Sequence, residues 1–156
     1  MLRFLSSAML LLVICAASIA QEGEKGGGQA GHGDPCAAAN TQMEMNQCSD
    51  EEYKKADAHL SAVYKNLSAM LQQSADDAKQ QKDDALARQA EMAVQKLRAA
   101  QNAWTQYRVL QCDAVRQQFE RGSIAPLEWA TCMMETTNHR IAELKSGYEI
   151  GDRKLE

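Results

Sequence analysis

The chain has 156 residues, with 17 Lys and Arg against 21 Asp and Glu and a formal net charge of −4 at pH 7. That length is one domain's worth, and the acidic balance offers no basic surface to neutralise phosphates, which argues against nucleic acid as a partner. The charge is compatible with a cationic partner, but on its own it favours a solvated acidic surface that keeps the protein soluble.

Residues 1–20 read as a secretory signal, with Arg3 as the positive start, an apolar run from Ala8 to Ala17, and Ser18-Ile19-Ala20 as the cleavage site before Gln21. The run is too short for a comfortable membrane span, so the processed chain is expected to have none. Ile14 stands where a bacterial lipobox wants a small residue, so Cys15 reads as part of the removed peptide rather than a lipid anchor. Cleavage also removes Arg3, leaving 16 basic against 21 acidic side chains, a formal charge of −5. Residues 21–35 form a Gly-rich linker whose six glycines leave little side chain to pack, so disorder is expected there. His32 sits in it without a neighbouring ligand.

The ordered domain is expected over 36–148, followed by a polar tail at 149–156. Thr41 with Glu44 has the spacing of a capping box and predicts a short helix carrying Met43 and Met45 to Cys48. Ser49 with Glu52 repeats that spacing, so a second helix is predicted to start there. Its apolar stripe is Tyr53, Ala56, Leu60, Val63, Leu67 and Met70. The polar run Ser74–Asp84 reads as a connection plus the first turns of a third helix, whose stripe is Leu86, Ala90, Ala93, Leu97, Ala100, Trp104 and Tyr107.

That stripe continues through Cys112, Val115 and Phe119. A straight helix over that span would reach roughly 50 Å and overhang its partner, which predicts a bend or break near Leu110–Asp113. Gly122, expected in the left-handed conformation, and Ser123 close it. Pro126 opens a last helix carrying Leu127, Ala130, Met134, Thr137, Ile141, Leu144 and Tyr148. No run alternates with period two. The fold class is therefore all-α, a small antiparallel bundle of about four helices.

Without Cys15 the cysteines number four: Cys36, Cys48, Cys112 and Cys132. An even set in an exported chain points to two disulfides in an oxidising compartment. Four cysteines admit three pairings. Cys112 and Cys132 flank the turn at Gly122-Ser123 at similar distances, and Cys36 and Cys48 flank the short first helix, which favours Cys36–Cys48 and Cys112–Cys132. No C-x-x-C spacing occurs, so a zinc site is not expected. His59 and His139 show no E-x-x-H pattern, there is no G-x-S-x-G and no phosphate loop, and no thiol remains after pairing. Glu135 with His139 reads as an exposed helical pair rather than metal ligands. The chain is therefore read as a non-enzyme without cofactor or metal.

Trp104 and Tyr107 can be a ligand platform, but stripe positions favour the core. Arg108 beside them needs an acid from a neighbouring helix, with Asp57 and Glu44 as candidates, and Arg140 is expected to do the same beside Thr137.

Three groups of residues resemble the LprI-type lysozyme inhibitor domain. The first is Cys36, then Thr41-Gln42-Met43-Glu44-Met45-Asn46-Gln47-Cys48, Tyr53, Ala56-Asp57, Leu60 and Tyr64. The second is Ala100-Gln101-Asn102-Ala103-Trp104, Tyr107-Arg108 and Cys112; the third is Gly122-Ser123, Cys132, Thr137, Arg140 and Leu144. The resemblance implies an exported or lipid-anchored, helical, disulfide-bonded bacterial envelope protein that inhibits c-type lysozyme; without a good lipobox, this chain is expected to be periplasmic or secreted. The alternatives are a non-inhibitory envelope module or antigen, and an immunity protein against a peptidoglycan-degrading toxin. For an inhibitor, a cationic lysozyme or another peptidoglycan hydrolase is the expected partner of a monomer. The candidate contacts are then the acidic patch Asp50-Glu51-Glu52 and the turn Gly122-Ser123-Ile124.

Overall fold

The computed structural model describes residues 35–148, so the expected signal peptide, most of the linker and the polar tail lie outside the described residues. Three helices account for nearly all of them: α1 (Gln42–Gln80), α2 (Asp84–Gln118) and α3 (Ala125–Tyr148). Contacts between α1 and α2 pair Lys79 with Glu91 and Asp57 with Arg108, so the two run in opposite directions. The bonds Cys112–Cys132 and Arg140–Gln101 show the same for α2 and α3. The core joins Leu60, Val63 and Leu67 of α1 to Leu97 of α2 and to Ile141 and Leu144 of α3.

The count is three rather than about four, because the two helices predicted before Ser74 are one. Thr41 does cap it: its hydroxyl accepts from the Glu44 N–H at 3.2 Å, and the Glu44 carboxylate accepts from the N–H of Thr41 at 3.0 Å and of Asn40 at 2.9 Å. Those donors, Asn40 foremost, hold the Glu44 carboxyl below its ordinary pKa. Ser49 starts nothing. It is buried inside α1, and its hydroxyl turns back to donate to the Asn46 carbonyl at 3.1 Å.

The polar run from Ser74 is helix as well. Gln72 donates to Asp76 and Gln73 to Asp77, four residues apart, which supports the helix on its wet side. On the other side Ala75 and Ala78 are buried. α1 thus has 39 residues, about 58 Å at the standard rise. α2, with 35 residues, does not overhang it; of the bend or break expected at Leu110–Asp113, the break does not occur, and the helix is continuous there.

Lys82, not Gly122, takes the left-handed conformation. Its φ is 57°, whereas Gly122 lies outside that region. The Lys82 N–H donates to the Lys79 carbonyl and the Asp83 N–H to the Ala78 carbonyl, both at 3.0 Å, a Schellman closure of α1. Asp83 then caps α2 by accepting from the Leu86 N–H at 3.0 Å. At the other turn the Gly122 N–H donates to the Phe119 carbonyl at 2.8 Å, and Pro126 lies in the first turn of α3.

Candidate functional site

Arg108 lies where the three helices meet. It is 6% exposed, and one guanidinium nitrogen donates to Asp57 of α1 at 2.6 Å and to the Thr137 hydroxyl of α3 at 2.7 Å. The Thr137 hydroxyl in turn donates to the Met133 carbonyl at 2.6 Å. Trp104 lies under the guanidinium at 4.8 Å and Tyr53 at 5.5 Å. Burial pushes the Tyr53 phenol up, and the Arg108 cation pulls it down. Of the two acids expected for Arg108, Asp57 is the partner; Glu44 lies roughly 20 Å away along α1, in the helix cap. The Arg108 Nε is buried without a hydrogen-bond partner among the described residues.

Tyr107 corrects the expectation of a second buried ring. It is 56% exposed, while Trp104 is half-buried. The inward stripe of α2 runs Ala87, Ala90, Val94, Leu97, Gln101, Trp104, Arg108, Cys112. A strict 3.5-residue repeat drifts against a straight helix, and two successive four-residue steps at Trp104, Arg108 and Cys112 restore the phase. Of the neighbours Tyr107 and Arg108, both expected on the inward side, only Arg108 keeps that place.

Arg140 also departs from expectation. Its Nε donates to Gln101 at 3.2 Å, and its acid is Glu143 of its own helix at 3.0 Å rather than one from a neighbour. Tyr107 and Trp104 join Glu135, Thr136, His139 and Glu143 around an open cavity of about 320 Å³ between α2 and α3. Among the described residues no group of His, Cys, Asp or Glu is arranged to hold a metal ion.

The remaining candidates sit at the end of the bundle where α1 and α3 begin and α2 finishes. Asn46 donates from its side-chain amide to the Ser123 carbonyl at 3.1 Å, bringing the 122–124 turn beside the start of α1. Asp50, Glu51 and Glu52 follow within two turns. Asp50 is bridged to Lys54 and Glu52 to Lys55, each at 2.6 Å, and Gln47 donates to Glu51 at 3.0 Å, so the acids are partly countered. Trp129, not singled out from the sequence, organises this end. Its indole N–H donates to Asp113 at 2.9 Å and its ring meets Tyr53 edge-on at 5.6 Å.

Two disulfides hold the end together. Cys36–Cys48 fixes the segment before α1 to that helix, with Cα atoms 5.8 Å apart. Cys112–Cys132 joins α2 to α3 at 5.6 Å. Between α1 and α3 a second cavity of about 340 Å³ is lined by Pro35, Cys36, Met45, Ser49, Glu52, Leu127, Glu128, Thr131 and Met134.

The family model described as "Lysozyme inhibitor LprI" matches residues 34–144. The chain belongs to the LprI family. The matched span holds both disulfides, the Arg108 centre and all but the last turn of α3. This LprI-family protein is 34% identical over 152 residues to an uncharacterized protein of Rhizobium meliloti (strain 1021), covering 97% of this chain and 99% of that protein. No solved structure matches the LprI chain. Among the described residues no helix is long and apolar enough to cross a membrane.

Proposed function

We propose that this LprI-family protein inhibits a c-type lysozyme outside the cytoplasm, covering the enzyme's substrate cleft with the end of the bundle that carries Asp50, Glu51, Glu52 and the Gly122-Ser123-Ile124 turn. The observation that carries the reading is the family match across the whole stapled bundle. Electrostatics supports it. At this end Glu44, Asp50, Glu51, Glu52, Asp113, Glu120 and Glu128 outnumber Lys54, Lys55, Arg116 and Arg121. A cationic enzyme with an open cleft is steered toward such a surface, more strongly at low salt. Rigidity supports it too: a turn held by Asn46 and flanked by a disulfide loses little freedom on docking. Two disulfides suit an oxidising compartment.

A cell-wall lysis assay with the purified, oxidised protein tests the reading. Inhibition is expected in the micromolar range or below, weakening as salt rises. Ser123→Trp, at an exposed turn position, is expected to weaken inhibition about tenfold or more by breaking the fit. Unchanged potency removes the turn from the interface. No inhibition by the parent protein removes the activity and leaves the envelope-module and immunity-protein readings.

A further inference from the structure

We propose that the 340 Å³ cleft between α1 and α3 is a receptor for one arginine or lysine side chain of a basic partner protein. The inference rests on the lysozyme reading for the partner's identity, and on the cleft itself for the chemistry. Its wall is largely apolar: Met45 of α1, Leu127 and Met134 of α3, with Pro35 and Cys36 from the segment before α1. Its other marked feature is acid, from Glu52 and Glu128. An apolar slot with carboxylates suits a side chain that has a hydrocarbon stem and a cationic head, and suits few others. Methionine adds a polarizable surface that adapts to a guest stem.

The two acids are not equivalent. Glu52 is bridged to Lys55 at 2.6 Å. The Glu128 carboxylate meets no cation or side-chain donor among the described residues, so it is the charge available to a guest. Its position in the first turn of α3 also satisfies the positive helix start, which explains an acid there but not the apolar wall beside it. The Cys36–Cys48 bond holds one side of the cleft against α1, so the slot exists before any guest arrives. The cleft lies at the same end as Asp50–Glu52, where a basic protein is drawn.

The full oxidised protein, labelled with carbon-13 at the methionine methyls, is titrated with n-butylguanidinium, with neutral 1-butanol as control. Saturable shifts of Met45 and Met134 are expected with the cation at millimolar concentration, and weaker ones with the alcohol. Glu128→Gln keeps side-chain volume and is expected to weaken the cation about fivefold. Glu128→Lys is expected to abolish its binding, with circular dichroism confirming that both variants are helical. Unmoved methyls, or equal response to cation and alcohol, overturn the proposal.

Contacts from Met45 to residues 21–34 would assign the cleft to the chain's own linker, and shifts that depend on protein concentration alone would assign it to a second copy; either overturns it. A c-type lysozyme is then added. Inhibition with Met45 and Met134 undisturbed sinks the cleft and leaves the function. Binding of butylguanidinium with no response to lysozyme sinks the function and leaves the cleft's chemistry intact.

Discussion

Arg108 and Asp57 share one ion pair but not one environment. The arginine side chain is 7% exposed and the aspartate 43%. Removing Asp57 strands a cation where water cannot reach it, and removing Arg108 leaves a carboxylate that water can solvate. Asp57→Ala is therefore expected to cost about 3 kcal/mol, and Arg108→Met only about 1 kcal/mol, since an apolar chain fills the space and Thr137 keeps its bond to Met133. Urea unfolding of both variants and the double variant measures the difference. Equal losses would show that the two charges feel the same solvent. The sequence placed an arginine beside Trp104 and named Asp57 as one of two possible partners. The choice between Asp57 and Glu44 depended on which turn of α1 faces Arg108 across the bundle, and Glu44 sits at the helix start instead.

The helices are longer than their punctuation suggests. Ser49-x-x-Glu52 has the form of a start signal, yet helix precedes it, and the serine bonds backwards instead. Capping residues act only where the chain arrives in extended form, and Thr41 has that conformation at φ −119° and ψ 155°. Lys82 shows the opposite mismatch, a side chain in a backbone region that favours glycine. Lys82→Gly is expected to stabilise the protein by about 0.5–1 kcal/mol, the relief of left-handed strain exceeding the added freedom of the unfolded chain. Thermal unfolding at matched pH checks it. A lower midpoint would mean that the turn does not carry that strain.

At the scale of the molecule, the disulfides and the functional candidates share one end. Cys112–Cys132 closes a 20-residue separation across the turn that carries Ser123. Replacing both cysteines by serine is expected to cost about 3 kcal/mol, chiefly by freeing the unfolded chain. In a domain of this size that lowers the melting midpoint by roughly 10–20 °C. The readout is calorimetry of the oxidised parent against the double serine variant. If the protein inhibits lysozyme, potency should fall together with the order of this turn. Identical melting would show that the bridge constrains neither state.

The periodicity of Ala56, Leu60, Val63 and Leu67, the Thr41 cap, the helix-opening Pro126 and the residues of the LprI family were all legible in the chain itself. Each depends on neighbours within a few residues, or on a motif that is the sequence. Three features needed the folded molecule: Tyr107 turned outward beside an inward Arg108, one continuous α1, and an apolar cleft beside the acidic patch. The partners that orient Arg108 lie 51 and 29 residues away, and Asn46 reaches across 77 residues to Ser123. A helix carries apolar residues on more than one face here, and only the helices packed against it decide which face is dry.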